Sequence, residues 1–534
     1  MRSSIILQQN HFMTSVLDLP VLDCNVKTLT TNNAKQNQLE PDIIQKAIGV
    51  FGRWHWWVVL WTMACKFAVA WHQTAIIFQA PSPNFTCIDP NITDPCSKDC
   101  PGYEFDREIF SETITTQWEL VCDKYQLNNI VQLATMFGIL TGALVFGVIS
   151  DRYGRRRPLI AAVVLQTLAG CAAAIVPWFW LHVVLRFLCT TGTGGTMISS
   201  FVLIMELVGL KWRTTVGILY QIPFNLGHLS LPLIAYYVRD WRFNQFFISV
   251  STIILFAYYW VLPESPRWLL TVGKTEKATK VLEKGARRNR LPTSHIKNDV
   301  SNYMQKKDLK VVAGGNIFSL VATPSLRIKT ICICINWLVC GLCFFGVAQF
   351  MGELGGNIFV NVAVSAAVEI PGTIVSIFAM EKLGRRMTLI GANLIAGLSC
   401  LAIAIVPTEP AWIKTALGTT GMFGLSIAFP TVYIYAGEIF PTIVRNVGCG
   451  TASVFARIGS MVAPFMAKPI YGAQWITPML FGIFPIIGAS LCVFLPETLN
   501  CKLPDSIEEA EEFGKKPKKP KKSNQSSLIK ETAT

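Results

Sequence analysis

The sequence predicts an all-α membrane protein: twelve transmembrane helices in two six-helix pseudo-repeats, with a large extracellular loop between helices 1 and 2. Three observations carry that prediction. Apolar residues make up 51% of the 534 residues and charged ones only 15%, whereas a soluble chain of this length carries about a quarter charged. The apolar residues gather into twelve runs of about 20, the length that crosses a bilayer as helix. Landmarks also return at one interval. Asp151-Arg152-Tyr153-Gly154-Arg155-Arg156 comes back as Glu381-Lys382-Leu383-Gly384-Arg385-Arg386, Glu206 and Arg213 as Glu438 and Arg445, and Pro263-Glu264-Ser265 as Pro496-Glu497-Thr498. The offsets are 230, 232 and 233 residues, in one order, so the chain is two copies of one half.

Taken in order, residues 1–40 are polar, without helical period or signal pattern, and read as a disordered cytosolic tail. Residues 41–270 form the first six-helix half, with helix 1 near 54–78 and the others near 128–149, 158–178, 180–208, 214–237 and 241–262. Within it, segment 80–128 holds 9 acidic and 3 basic residues and reads as the extracellular loop. Its four cysteines, Cys87, Cys96, Cys100 and Cys122, are an even set suited to two disulfides, with pairing open. Asn84-Phe85-Thr86 and Asn91-Ile92-Thr93 are glycosylation acceptors by pattern. The other twelve cysteines lie mostly in apolar helices and read as small buried hydrophobes.

Residues 271–327 are a cytosolic linker, and segment 263–327 carries 13 Lys/Arg against 5 Asp/Glu. The second half, 328–500, places helices near 328–350, 359–380, 387–406, 411–437, 446–470 and 475–495. The tail, 501–534, is acidic and then polybasic, and the six lysines of Lys515–Lys522 suit anionic inner-leaflet lipid. The net charge of +14 resides in these cytosolic segments, which is positive-inside topology and not a nucleic-acid footprint. Both termini are then cytosolic.

Three ionisable residues fall near the middle of predicted helices: Lys66 in helix 1, Glu369 in helix 8 and Arg457 in helix 11. Charges at that depth are expensive and mark substrate or ion paths. A negative and a positive group in one water-filled cavity can grip the two ends of a zwitterion; a bare Glu369–Arg457 salt bridge is the structural alternative. Trp337 and Phe344 lie seven apart on one face of helix 7, and with Tyr220-Gln221 and Tyr433 they are candidates to box an ammonium group. At the cytosolic ends, Asp151, Arg152, Arg155, Arg156, Glu206, Arg213, Glu381, Arg385, Arg386, Glu438 and Arg445 form a candidate gating network, in which Asp151 accepts from arginines and faces a helix N-terminus of the opposite half.

Together these motifs resemble the major facilitator superfamily, and within it the organic cation/anion/zwitterion transporters. Gly147–Arg157 is similar to the signature between helices 2 and 3 of that superfamily. Pro263-Glu264-Ser265-Pro266-Arg267-Trp268-Leu269, the cysteine loop, and the stretch from Tyr433 through Glu438 and Pro441 to Arg445 and Asn446 resemble the narrower family over about residues 41–513. The resemblance implies a plasma-membrane carrier working by alternating access. Cation-preferring members carry a glutamate matching Glu369 and an aspartate where this chain has Arg457; anion-preferring members carry the arginine and usually lack the glutamate; carnitine-type carriers have both, as here. Lys66 departs from all three patterns. Insect-type relatives carry amines and amino-acid conjugates, so carnitine, β-alanine, carcinine and choline-like substrates are the expectation, with organic cations or anions as alternatives. No cofactor is implied; sodium or proton coupling stays open.

An enzyme is not expected. Gly273-Lys274-Thr275 lacks the earlier glycine of a phosphate loop, where Trp268 stands, and Cys340-x-x-Cys343 lies in an apolar helix without a second ligand pair, so no metal site is expected. A substrate sensor on the same scaffold is the alternative from another class.

Overall fold

The computed structural model describes residues 43–514, apart from 82, 93, 308–316, 355, 407–410, 442–443, 468–474, 502–503 and 505. The first tail, Thr93 of the second acceptor triplet and Lys515–Lys522 lie outside the described residues.

Helix occupies all twelve predicted positions. We number them α1 (Arg53–Met63, Cys65–Thr74 and Ile76–Gln79, end to end), α2 (Gln126–Tyr153), α3 (Arg156–Ile175), α4 (Phe179–Leu207), α5 (Leu210–Leu219 and Ile222–Tyr237) and α6 (Trp241–Val250, continued by a 3₁₀ stretch into Tyr258–Val261). The second half follows as α7 (Pro324–Phe350), α8 (Ile358–Lys382), α9 (Arg385–Ile405), α10 (Ala411–Ile439), α11 (Arg445–Ala467) and α12 (Ile476–Cys492). Among the described residues, eight of these, α2–α4 and α6–α10, are long and apolar enough to cross a membrane. The other four are interrupted (α1, α5), 17 residues long (α12), or carry an arginine midway (α11). The break in α5 has a direct cause. Pro223 has no N–H to donate and crowds the preceding turn, so the helix yields at Tyr220–Gln221.

Between the halves, short helices Pro266–Thr271, Thr275–Arg288 and Ile296–Lys307 cover the hinge end of the first half. Leu269, Leu270, Leu282 and Ala286 pack there against Ile44, Trp54 and Leu159. In the loop between α1 and α2, Phe85–Cys87 pairs antiparallel with Tyr103–Phe105. The structure resolves the cysteine pairing as Cys87–Cys100 and Cys96–Cys122. Asn84 and Asn91 are exposed on this loop. The eleven cysteines described outside it are buried or half-buried.

The apolar core shows how the halves meet. At the end carrying the disulfide loop, one cluster runs through both: Phe78, Phe224 and Leu231 pack with Phe344, Met351 and Phe359. Phe359 of α8 touches Phe78, Phe110 and Tyr236 of the first half at ring-centroid distances of 5.7, 5.6 and 5.5 Å. At the opposite end, the hinge end, the described clusters stay within one half each, two in the first half and one in the second. Shared apolar packing joins the halves at the loop end, and at the hinge end the described apolar clusters do not span them.

Within the halves, glycines allow carbonyl-to-helix contact. A Cβ on Gly142 of α2 would fall on the Thr191 carbonyl of α4, and one on Gly459 of α11 on the Leu338 carbonyl of α7. Side chains at such crossings force helices apart. Gly142→Leu should therefore destabilise the first half by about 1–3 kcal/mol, read as a lowered melting temperature of the detergent-purified protein; an unchanged melting temperature would mean that this crossing is not tight.

Candidate substrate-binding site

The three predicted central charges all reach the interior: Lys66, Glu369 and Arg457 are 5%, 0% and 8% exposed. They are not paired with one another. Glu369 Oε1 lies 2.7 Å from His228 Nδ1 of α5, and both side chains are fully buried. The expected alternative, a Glu369–Arg457 bridge, is absent among the described ion pairs; His228 is the partner of Glu369 instead. Among the described residues, Glu369 Oε2 and His228 Nε2 have no hydrogen-bond partner. Asn225, one turn from His228, donates to Thr373 Oγ1 at 2.9 Å and to the Glu369 carbonyl at 3.2 Å. Two polar side chains of α5 thus cross to α8.

Arg457 reaches across in the other direction. Its Nη2 lies 3.8 Å from Met197 Sδ of α4, and it has no carboxylate partner among the described residues. Lys66 also lacks one. Its Nζ sits 4.6 Å over the ring of Tyr220 and 5.4 Å over that of Phe224. A buried ammonium on two aromatic faces is held by the ring quadrupoles, and Lys66 reaches them where α1 is interrupted at Ala64 and α5 at Tyr220.

The predicted aromatics form a circuit around this point. Tyr220 meets Phe201 at 5.5 Å, Phe201 meets Tyr433 at 5.8 Å, and Tyr433 meets Trp337 at 4.8 Å. Trp337 meets Phe429 at 6.3 Å, Phe429 meets Phe344 at 5.7 Å, and Phe344 meets Phe224 at 6.4 Å. Lys66 closes the ring between Phe224 and Tyr220. The seven aromatics come from α4, α5, α7 and α10, so both halves contribute. Gln221 is half-buried beside the α5 break and makes no side-chain hydrogen bond among the described residues. Trp337 Nε1 is buried without a hydrogen-bond partner among the described residues.

At the hinge end, Arg155 ties α2, α3 and α4 together. Its guanidinium lies 2.7 Å from Asp151 Oδ1 and 2.7 Å from Glu206 Oε1, with Nε 3.1 Å from both Glu206 oxygens. Arg385 does likewise with Glu438 at 2.9 Å. Asp151 is 77% exposed as a side chain, and its ion pair lies within its own half. Its expected contact with a helix N-terminus of the other half is absent among the described contacts; the carboxylate pairs with Arg155 of its own half instead. Arg156 donates to the Tyr259 carbonyl, Arg386 to the Val493 carbonyl at 2.8 Å and Arg445 to the Phe440 carbonyl at 3.3 Å. Arg152 stacks over Tyr153 at 5.6 Å, Glu381 is exposed, and Arg213 stands within the first piece of α5.

Two carboxylates organise the hinges more directly than the residues singled out from sequence. Glu264 Oε1 accepts from the backbone N–H groups of Arg155, Arg156 and Ser265 at 2.7, 3.2 and 3.0 Å. Glu497 accepts from Arg385, Arg386, Thr498 and Leu499 at 2.9 to 3.1 Å. Each carboxylate satisfies the open N–H groups at the start of α3 or α9 and opposes the positive end of the helix dipole. Gly154 and Gly384, at φ +98° and +85°, turn the chain into those helices, and a Cβ on either would strike the carboxylate.

Residues 104–510 match the family described as sugar (and other) transporter. The organic cation transporter protein of Drosophila melanogaster is 34% identical over 429 residues, covering 79% of this chain and 78% of that protein. Solute carrier family 22 member 6 of Pseudopleuronectes americanus is 34% identical over 443 residues, covering 81% and 79%; member 13 of Homo sapiens is 33% identical over 444, covering 82% and 79%. The chain belongs to the solute carrier 22 branch of the sugar (and other) transporter family. The inward-open xylose transporter XylE of E. coli shares its fold, with a TM-score of 0.61 at 17% identity over 86% of this chain and 99% of that one. Members of the solute carrier 22 branch are membrane transporters, not enzymes, and need no cofactor.

For this solute carrier 22 chain, sequence reasoning named Lys66, Glu369, Arg457 and four of the seven ring aromatics. It missed His228, Asn225, Phe201, Phe224 and Phe429. His228 and Asn225 had a signal, two polar residues one helical turn apart in an apolar run; the three phenylalanines look like any lipid-facing residue until neighbours are known. Glu264 and Glu497 were visible as repeat landmarks, but not as helix caps. Glu264→Gln and Glu497→Gln should each cost about 1–3 kcal/mol through a weakened charge-assisted cap. Thermal unfolding of the purified carrier measures this, and no loss in either variant would leave the repeated motif without the capping role.

Proposed function

We propose that this protein is a plasma-membrane secondary transporter for small organic zwitterions or amines, of the size and charge of carnitine, β-alanine, carcinine or choline. The observation that carries the reading is the set of unmatched charges: Lys66 and Arg457 are buried without a carboxylate partner among the described residues, and Glu369 keeps one oxygen free. A buried charge without its partner is costly, so a ligand that brings a carboxylate to one end and an ammonium to the other is favoured twice. Arg457 and Lys66 hold the carboxylate; Glu369 holds the ammonium; Trp337, Phe344, Tyr220 and Tyr433, with Gln221 beside them, wall the site.

Twelve spans with both termini cytosolic place the disulfide loop outside and the hinges inside, in accord with the positive-inside charge pattern. Residues 41–270 then rock against 328–500 about the central charges. The parted hinge end supports an inward-facing state, and Asp151, Arg152, Arg155, Arg156, Glu206, Arg213, Glu381, Arg385, Arg386, Glu438 and Arg445 form the gate that meets across the halves when that end closes. Asn84 and Asn91 carry glycans, and the Lys515–Lys522 tract rests on anionic inner-leaflet lipid.

The reading is tested by uptake into cells expressing the full chain, with carnitine, β-alanine, carcinine, choline, tetraethylammonium and p-aminohippurate. Saturable uptake of zwitterions is expected. Arg457→Asp should cut carnitine uptake roughly thirtyfold or more, the equivalent of losing about 2 kcal/mol of a buried charge contact, while tetraethylammonium is retained or gained. Equal losses for every probe would make Arg457 a packing residue, and no uptake of any probe would favour a sensor.

A further inference from the structure

The His228–Glu369 contact is a hydrogen bond between two titratable groups, one from each half, with no exposure and with a free atom on each side. No structural role requires that combination. Asn225 and Thr373 already tie α5 to α8 through neutral groups one turn away, and an uncharged pair would make the same bridge without burying a carboxylate.

We infer that His228 and Glu369 form a proton-binding site whose loading is exclusive with the substrate's ammonium, so that the carrier exchanges one proton for each ammonium-bearing substrate it admits. The inference rests on the reading of Glu369 as the ammonium site. In the empty carrier, doubly protonated His228 donates from Nδ1 to Glu369 Oε1, and the pair is neutral. When an ammonium arrives at Oε2, one carboxylate faces two cations in a site that already holds Lys66 and Arg457. The proton on Nε2, the ring nitrogen with no partner, leaves to water. Neutral His228 keeps its Nδ1–H on Oε1, and the ammonium takes over the charge. One proton leaves and one positive charge enters, so charge balances.

The surrounding charges set the direction. From α1, Lys66 lies over Phe224, one turn before His228, and His72 lies farther along. From α10 come Lys414, Tyr433 and Glu438; from α9, Arg385 and Arg386; Glu353 precedes α8, and Glu381 and Lys382 end it. Arg457 approaches from α11. The two centrally placed cations, Lys66 and Arg457, both oppose an extra positive charge at this depth. A second cation beside Glu369 is therefore tolerated only in exchange for the first. A carboxylate-only solute engages Lys66 and Arg457 and leaves the proton in place.

The test uses the full chain and the variant His228→Asn, whose amide can still donate to Oε1 but cannot carry a proton. Carnitine is the probe because its quaternary ammonium has no proton of its own, and p-aminohippurate is the control. In proteoliposomes, an interior one pH unit more acidic than the exterior should raise wild-type carnitine accumulation up to about tenfold, the free-energy equivalent of one pH unit. His228→Asn should show a ratio of one, as should p-aminohippurate in the wild type. Alongside this, a spin-label distance across the hinge end, measured without substrate from pH 5 to 9, should titrate in the wild type and stay flat in the variant. A distance insensitive to pH, or an identical titration in the variant, overturns the proton site. Carnitine accumulation that ignores the gradient overturns the exchange while leaving the zwitterion reading standing. A titrating distance with no carnitine uptake supports the proton site and sinks the zwitterion reading.

Discussion

The 2.7 Å hydrogen bond between His228 and Glu369 joins the two halves at a depth where neither group has any exposure, and much of the site is arranged around that constraint. A carboxylate removed from water needs donors close by. Pro223 interrupts α5 ahead of Asn225 and His228, and Pro371 removes an N–H from the turn after Glu369. Lys66 and Arg457 stand off this pair, the first on aromatic faces and the second against a methionine sulfur. The result is a region with more charges than mutual partners among the described residues, which suits the solute proposed above. Full internal pairing would leave nothing for a substrate to do.

The hinge end obeys a different economy. Arg155 and Arg385 find their acids within their own halves, and Glu264 and Glu497 collect backbone N–H groups at the starts of α3 and α9. These contacts are local, repeated and satisfied within each half. The shared apolar cluster at the loop end and the separate clusters at the hinge end make the same point in packing terms.

Much of the architecture was legible beforehand because a bilayer leaves few options. Backbone groups in hydrocarbon must be satisfied within the segment, so runs of about 20 apolar residues become helix, and each predicted run is helical. The internal repeat needed only matching landmarks. The site was half legible. Lys66, Glu369 and Arg457 stand out because charge in an apolar run is conspicuous. Phe201, Phe224 and Phe429 do not, since a phenylalanine facing lipid and one facing a cavity are identical in sequence.

The sequence by itself determined the helices, the repeated landmarks, the four loop cysteines and the burial of Lys66, Glu369 and Arg457, because each depends on composition and spacing. Only the tertiary structure decided the partners. Glu369 meets His228 rather than Arg457, Lys66 rests on Tyr220 and Phe224, and Cys87 joins Cys100. The disulfide turns on the pairing of Phe85–Cys87 with Tyr103–Phe105; the first two outcomes turn on the rotation of helices about their own axes and on the packing of α5 against α1 and α8. Those angles are set by side-chain packing between segments more than a hundred residues apart, which no local pattern encodes.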